Sequence, residues 1–117
     1  MQLNEYQEKA MTTCMDSSNN FSYMFLNLVG EVGEFSSKVA KFIRKDKAGI
    51  DNDILMMCGC HTSDVEELKK EAGDILWQLS GLCSVMGWSL EDVAQQNLDK
   101  LASRKQRNVI DGNGDNR

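Results

Sequence analysis

The sequence contains no proline and only one histidine, His61. Without proline, no helix interior is broken by a missing N–H and a locked φ. With one histidine, a Ser/His/Asp triad would depend on His61, which falls in the least regular stretch of the chain, residues 46–63. A di-iron carboxylate bundle wants Glu-x-x-His on two helices, and that motif is absent. Zinc is poorly served too. Cys58-Gly59-Cys60-His61 supplies at most half of a site needing about four N/S ligands, and no second Cys/His cluster exists. That stretch is read as a loop. The chain also has no GxxxxGK[ST] phosphate loop.

Positive charge is in short supply. Lys and Arg number 13 against 18 Asp and Glu, for a net charge of −5. A nucleic-acid-binding domain would show a basic footprint, so nucleic acid is excluded as a partner, whereas a small anion could still bind through metal. No apolar run approaches the ~18 residues of a membrane span, which excludes a membrane partner. Met1-Gln2-Leu3-Asn4-Glu5 has no basic segment leading into an apolar core, so no secretory signal is read. The expected location is the cytoplasm, with Cys14, Cys58, Cys60 and Cys83 as free thiols.

What is present is helical periodicity. A chain of 117 residues makes one domain with a small core. The first helix is expected from Asn4 to about Asp16, with Asn4 as N-cap and Gln7 at the capping-box position. The second is expected from about Ser22 to Lys45, with Met24, Phe25, Leu28, Val32, Phe35, Val39, Phe42 and Ile43 as its core face. Gly30 and Gly33 are costly inside it, which suggests close approach by a second helix or a ligand. The third is expected from a cap at Thr62-Ser63-Asp64, with Ser63 and Glu66 as a capping-box pattern, to Met86, with Leu68, Ile75, Leu76, Leu79, Leu82, Cys83 and Met86 inward and Glu71, Asp74 and Gln78 on a stripe beside them. Trp77 lies off that stripe and suggests a second buried surface, such as a subunit contact. Gly87 stops this helix, and Ser89 caps a fourth running to about Arg107. Leu90, Val93, Ala94, Leu98 and Leu101 of the fourth should face inward. The fold class is therefore all-α, a four-helix-type bundle.

Two elements of this pattern carry chemistry. Glu31-Val32-Gly33-Glu34 and Glu71-Ala72-Gly73-Asp74 each place two carboxylates three residues apart on a helix face. Residues so spaced are neighbours, with Cβ atoms ~5–6 Å apart. Taken singly, such a pair is most often a solvated helix face. Two pairs on two apolar helices that pack together would converge on one cluster, whose charges repel unless a cation lies among them. Oxygen ligands of this kind suit Mg²⁺, Mn²⁺ or Ca²⁺. Asn97, Lys100 and Arg104 share a face of the fourth helix and suit phosphate oxygens, although spacing alone also fits a solvated face. Lys38, one turn past Glu34, is a further phosphate candidate.

These residues resemble a known family. Leu28-Val29-Gly30-Glu31-Val32-Gly33-Glu34 followed by Glu71-Ala72-Gly73-Asp74-Ile75-Leu76-Trp77 is similar to the ExxE…ExxD signature of MazG-like all-α nucleoside triphosphate pyrophosphohydrolases. The resemblance extends to Asn4-Glu5-Tyr6-Gln7 and to Asn97-Leu98-Asp99-Lys100-Leu101 with Arg104. It implies a helical domain over residues 1–110, working as a homodimer or tetramer. It implies Glu31, Glu34, Glu71 and Asp74 as catalytic Mg²⁺ ligands, with Mn²⁺ able to substitute, and Asn97, Lys100 and Arg104 on phosphates. It also implies hydrolysis of an NTP or dNTP between the α and β phosphates by metal-activated water, giving the monophosphate and pyrophosphate. The alternatives are cleavage of phosphoribosyl-ATP within the same superfamily and a non-catalytic helical interaction module. Gly30 stands where many relatives carry a further Glu, and the segment from Phe35 to Lys70 is longer than in many. Tyr6, Gln7 and Asn27 are candidates for the base or sugar pocket. The glycine-rich tail, 111–117, is expected either to lie over the nucleotide or to be disordered.

Overall fold

The computed structural model describes residues 1–117. Four helices dominate it: α1 (Leu3–Met11), α2 (Phe21–Arg44), α3 (Thr62–Val85) and α4 (Leu90–Gln106). A single 3₁₀ turn, Asp16–Ser18, separates α1 from α2, and a two-stranded hairpin, β1 (Gly49–Asp51) and β2 (Ile54–Met56), joins α2 to α3. The all-α reading holds, with one addition: part of the 46–63 stretch is a hairpin and not plain loop. Its strands pair antiparallel with Asp51 opposite Ile54, so Asn52 and Asp53 alone make the turn. Both have positive φ, 49° and 61°, as the two-residue turn matching strand twist requires.

The helix ends follow backbone chemistry. Gly87, with φ 73°, ends α3 as expected; its N–H bonds Ser84 O while Trp88 N–H bonds Cys83 O. The same paired closure ends α2 at Asp46 and α4 at Asn108, both with φ 59°. The starts differ from expectation. Asn4 and Gln7 do not cap α1, which stops at Met11. They reach across to α4 instead. Gln7 Oε1 accepts from Leu90 N–H (2.8 Å), Asn4 Oδ1 from Glu91 N–H (3.1 Å), and Ser89 Oγ from Asp92 N–H (3.3 Å). Three of the four orphan donors at that helix start are thereby satisfied. The cap of α3 is at His61, whose N–H donates to Asp64 (2.9 Å), and not at Ser63.

α2 and α3 form an antiparallel pair. Gly81 faces Met24, Gln78 faces Asn27, and Glu71 faces Lys38, so numbers fall along α3 as they rise along α2. At Gly81 a side chain of α2 packs directly on α3: a Cβ there would overlap Met24 Sδ. Gly30 and Gly33 serve no such contact within the chain, since added Cβ atoms would meet nothing nearer than Asn27 Oδ1 at 3.5 Å. α1 packs on the other side of α3. Trp77 Nε1 donates to Ala10 O (3.1 Å) and Thr13 Oγ1 (2.9 Å), so its second surface is met by α1 of the same chain.

The core of the single chain is thin. Met24, Phe42, Leu68, Cys83 and Leu90 are its buried apolar side chains. Phe25, Val32, Ile43, Leu76, Leu79, Met86, Val93, Leu98 and Leu101, expected inward, are exposed. The physical reason is the placement of α4. It docks on α1 and the end of α3 instead of closing over α2, so one face of the helix pair stays open. The radius of gyration, 17.5 Å, exceeds the ~13 Å of a compact chain of this length.

Candidate active site

The seam between α2 and α3 carries the carboxylates. Glu31 and Glu34 lie one turn apart on α2, and Glu71 comes across from α3. One carboxylate oxygen from each lies within 4.8 Å of the other two. Glu71 is only 7% exposed. Its Oε1 pairs with Lys38 Nζ at 2.6 Å, and its Oε2 is buried with no partner. Glu31 Oε1 accepts from Asn27 Nδ2 (3.3 Å), and its Oε2 is likewise buried and unpartnered. A buried acceptor without a donor is costly, more so when it carries charge. Two such atoms, one from each helix, fit a cation held by oxygen donors. The donor set is carboxylate throughout, which suits hard divalent ions and not the thiolate- or imidazole-preferring metals.

Electrostatics agree. Burial raises the Glu31 carboxyl above the ordinary glutamate range; the charges of Glu34, Asp74 and Glu71 add to this, and the Asn27 bond partly opposes it. Asp74 is outside the tight set of three, but its charge reaches Glu31 and also Tyr6, whose phenol is raised first by burial and then by Asp74.

Sequence reasoning placed Gln78 on the carboxylate stripe of α3 without giving it a role. It is 2% exposed. Its Oε1 accepts from Asn27 Nδ2 (2.9 Å) and its Nε2 donates to Met24 O (3.3 Å). Asn27 thus links a buried amide of α3 to Glu31 and sets the direction of that carboxylate. The signal was the spacing: Gln78 follows Glu71 by seven, two turns along the same face. Gln7, by contrast, is wholly engaged with the α3–α4 turn, donating to Ser84 Oγ and Trp88 O (both 3.0 Å) and accepting from Leu90.

The α4 candidates form a separate group, with no hydrogen bond or ion pair to the carboxylates. Arg104 is 4% exposed. Its Nη2 donates to Asp115 Oδ1 (3.0 Å) and to the carbonyls of Asp115 (3.1 Å) and Gly114 (3.4 Å). Lys100 Nζ lies 3.4 Å from the same Asp115 oxygen. Hydrogen bonds from Arg104 and then Lys100 hold the Asp115 carboxyl below the ordinary range. The tail turns back on α4, where Arg117 Nε donates to Val109 O (3.1 Å). Asn97 and Lys100 line a cleft of about 650 Å³ at the α3–α4 turn, with Trp88, Ser89 and Gln96.

A family model described as the MazG nucleotide pyrophosphohydrolase domain matches residues 19–109, taking in the helices that bear both carboxylate pairs and the α4 cations. The chain is also similar to the Gene 37 protein of Mycobacterium phage L5, with 40% identity over 102 residues, covering 87% of this chain and 81% of that protein. No solved structure matches it. With the match covering most of its length and all of the helix pair that carries the carboxylates, the chain belongs to the MazG nucleotide pyrophosphohydrolase domain family.

Proposed function

We propose that this protein hydrolyses a nucleoside triphosphate, ribo or deoxyribo, to the monophosphate and pyrophosphate, with magnesium held by Glu31, Glu34, Glu71 and Asp74. Manganese would substitute. The observation that carries this reading is the buried, unpartnered Oε2 of Glu71, set across the helix seam from the equally unpartnered Oε2 of Glu31. Magnesium, when bound, supplies Lewis-acid polarisation of phosphoryl oxygens and lowers the pKa of a bound water.

The chain's own groups have distinct parts. Gln78, through Asn27, keeps Glu31 turned toward the cluster. The proton of the attacking water passes to one of Glu31, Glu34 or Glu71, the carboxylates that share the site. Lys38, Asn97, Lys100 and Arg104 receive phosphate oxygens. For Lys100 and Arg104 this means exchanging the Asp115 carboxylate for a phosphate, one anion for another on the same donors.

The site is completed by a second copy. Phe21, Phe25, Val29 and Val32 recur at spacings of four, four and three along α2, all exposed, and Phe21 stacks on Phe25 with ring centroids 5.7 Å apart. This is an apolar face on the helix that also carries Glu31 and Glu34. Exposed apolar area so continuous is characteristic of association surfaces. A homodimer, or a tetramer of such dimers, buries it and can bring α4 of one subunit toward the carboxylates of another.

The test is ³¹P NMR of products from a panel of ribo- and deoxyribonucleoside triphosphates with Mg²⁺. Nucleoside monophosphate and pyrophosphate are expected. Glu71→Gln should lower kcat/KM by about a hundred-fold or more, ~2.7 kcal/mol of transition-state stabilisation. Release of orthophosphate and the nucleoside diphosphate, or an unaffected Glu71→Gln, would contradict the assignment.

A further inference from the structure

We infer that Lys38 is the resident counter-ion of the carboxylate cluster: its ammonium occupies Glu71 while metal is absent, and an entering dication displaces it toward the phosphates of the substrate. The inference rests on the metal reading above and concerns what that reading leaves open, namely how the site is held together before metal arrives.

Glu31, Glu34 and Glu71 bring three like charges within 4.8 Å of one another. Two are on α2 and one on α3, so their repulsion pushes apart the pair of helices on which the fold depends. Lys38 Nζ answers this at 2.6 Å from Glu71 Oε1, and this is the ion pair that crosses the α2–α3 seam. The lysine is one turn past Glu34 on the same helix. The Glu71 side chain is 10% exposed and that of Lys38 35%, so the lysine enters the cluster from its open side. The compensation is partial by construction. One ammonium neutralises one of the three charges and leaves the Oε2 atoms of Glu31 and Glu71 without a donor.

A divalent ion on those two oxygens would face the ammonium across a single carboxylate. Two cations so close repel, and the dication offers the carboxylates more. A lysine suits the exchange. Its charge is a compact point on a flexible four-carbon stem, and it makes no forked bond that must be broken as a unit. Moved off Glu71, its head lies at the mouth of the cluster, where an anionic phosphate chain bound to the metal supplies its next partner. Lys38 then competes with metal in the free protein and assists substrate in the loaded one.

The experiment pairs calorimetric Mg²⁺ titration, without nucleotide, with thermal denaturation in EDTA and in Mg²⁺. The proteins are the native chain, Lys38→Met and Lys38→Arg. Lys38→Met removes the charge at nearly constant length. It should melt below the native protein in EDTA, gain more from Mg²⁺, and bind Mg²⁺ at least about three-fold tighter. Its KM for nucleotide should rise more than its kcat falls. Lys38→Arg keeps the charge, secures a folded comparison, and should bind Mg²⁺ no more tightly than the native chain. Magnesium affinity unchanged or weakened in Lys38→Met, or tightened in Lys38→Arg, overturns the competition while leaving the metal site standing. No magnesium binding by any of the three overturns the metal reading itself, and this inference with it.

Discussion

A carboxylate oxygen shut away from water with no hydrogen-bond donor is expensive, and this chain keeps two of them, on Glu31 and Glu71. Their residue types and spacing were legible in the sequence, because carboxylates three apart on an apolar helix must share a face. Their orientation was not. That of Glu71 depends on Lys38, and that of Glu31 on Asn27 and Gln78, whose amides bond across the seam, pairings that appear only once the register of α2 against α3 is known. Asp64 shows the same limit, since Ser63 looked the better cap while the carboxylate in fact receives His61 N–H. That bond, then the charge of Lys47, holds the Asp64 carboxyl below its ordinary value. A depressed acid contributes stability above its unfolded pKa and loses it as pH falls through its folded pKa. The native protein should therefore outlast Asp64→Asn in thermal scans near neutrality, and the gap should close as the pH drops below the ordinary aspartate range. A gap independent of pH would assign the difference to packing.

Among the elements, the helices themselves were readable from periodicity, and the end of α3 from Gly87. The hairpin was not, because Ile54-Leu55-Met56-Met57 is too short to show a period. Glycine misled in an instructive way. Gly30 and Gly33 drew notice beside the carboxylates, yet Gly81 is the residue at which α3 meets α2. Nothing in its neighbourhood distinguishes it until Met24, with no exposed surface, is found against it. Gly81→Ala would drive a methyl into Met24 Sδ and Cε, and the methionine, with no exposed surface, must repack within the seam to admit it. The expected cost is about 1–3 kcal/mol, or roughly 4–10 °C in Tm. Calorimetric melting checks it, and an unchanged Tm would show that the seam has slack.

At the scale of the whole molecule, the single chain is open. Its radius of gyration and the apolar stripe Phe21, Phe25, Val29, Val32 both describe a structure that leaves a face uncovered. Sequence periodicity marked Phe25 and Val32 of that stripe as core, and it could not tell burial within a chain from burial between copies, since both produce the same apolar stripe. Val29, 62% exposed, sits in the middle of that face. Val29→Glu should convert an oligomer to single chains in sedimentation and lower activity with it, because within one chain the α4 cations pair with Asp115 and not with the carboxylates. A native protein that sediments as a single chain, or a variant that sediments like the native, would count against the shared site. The central claim, that side chains from α2 and α3 cage a divalent ion, is tested most directly by anomalous diffraction from crystals soaked in Mn²⁺. A manganese peak bounded by Glu31, Glu34 and Glu71, with Lys38 moved off Glu71, is the expected result. Density showing the Lys38–Glu71 pair intact and no peak between the helices would contradict it.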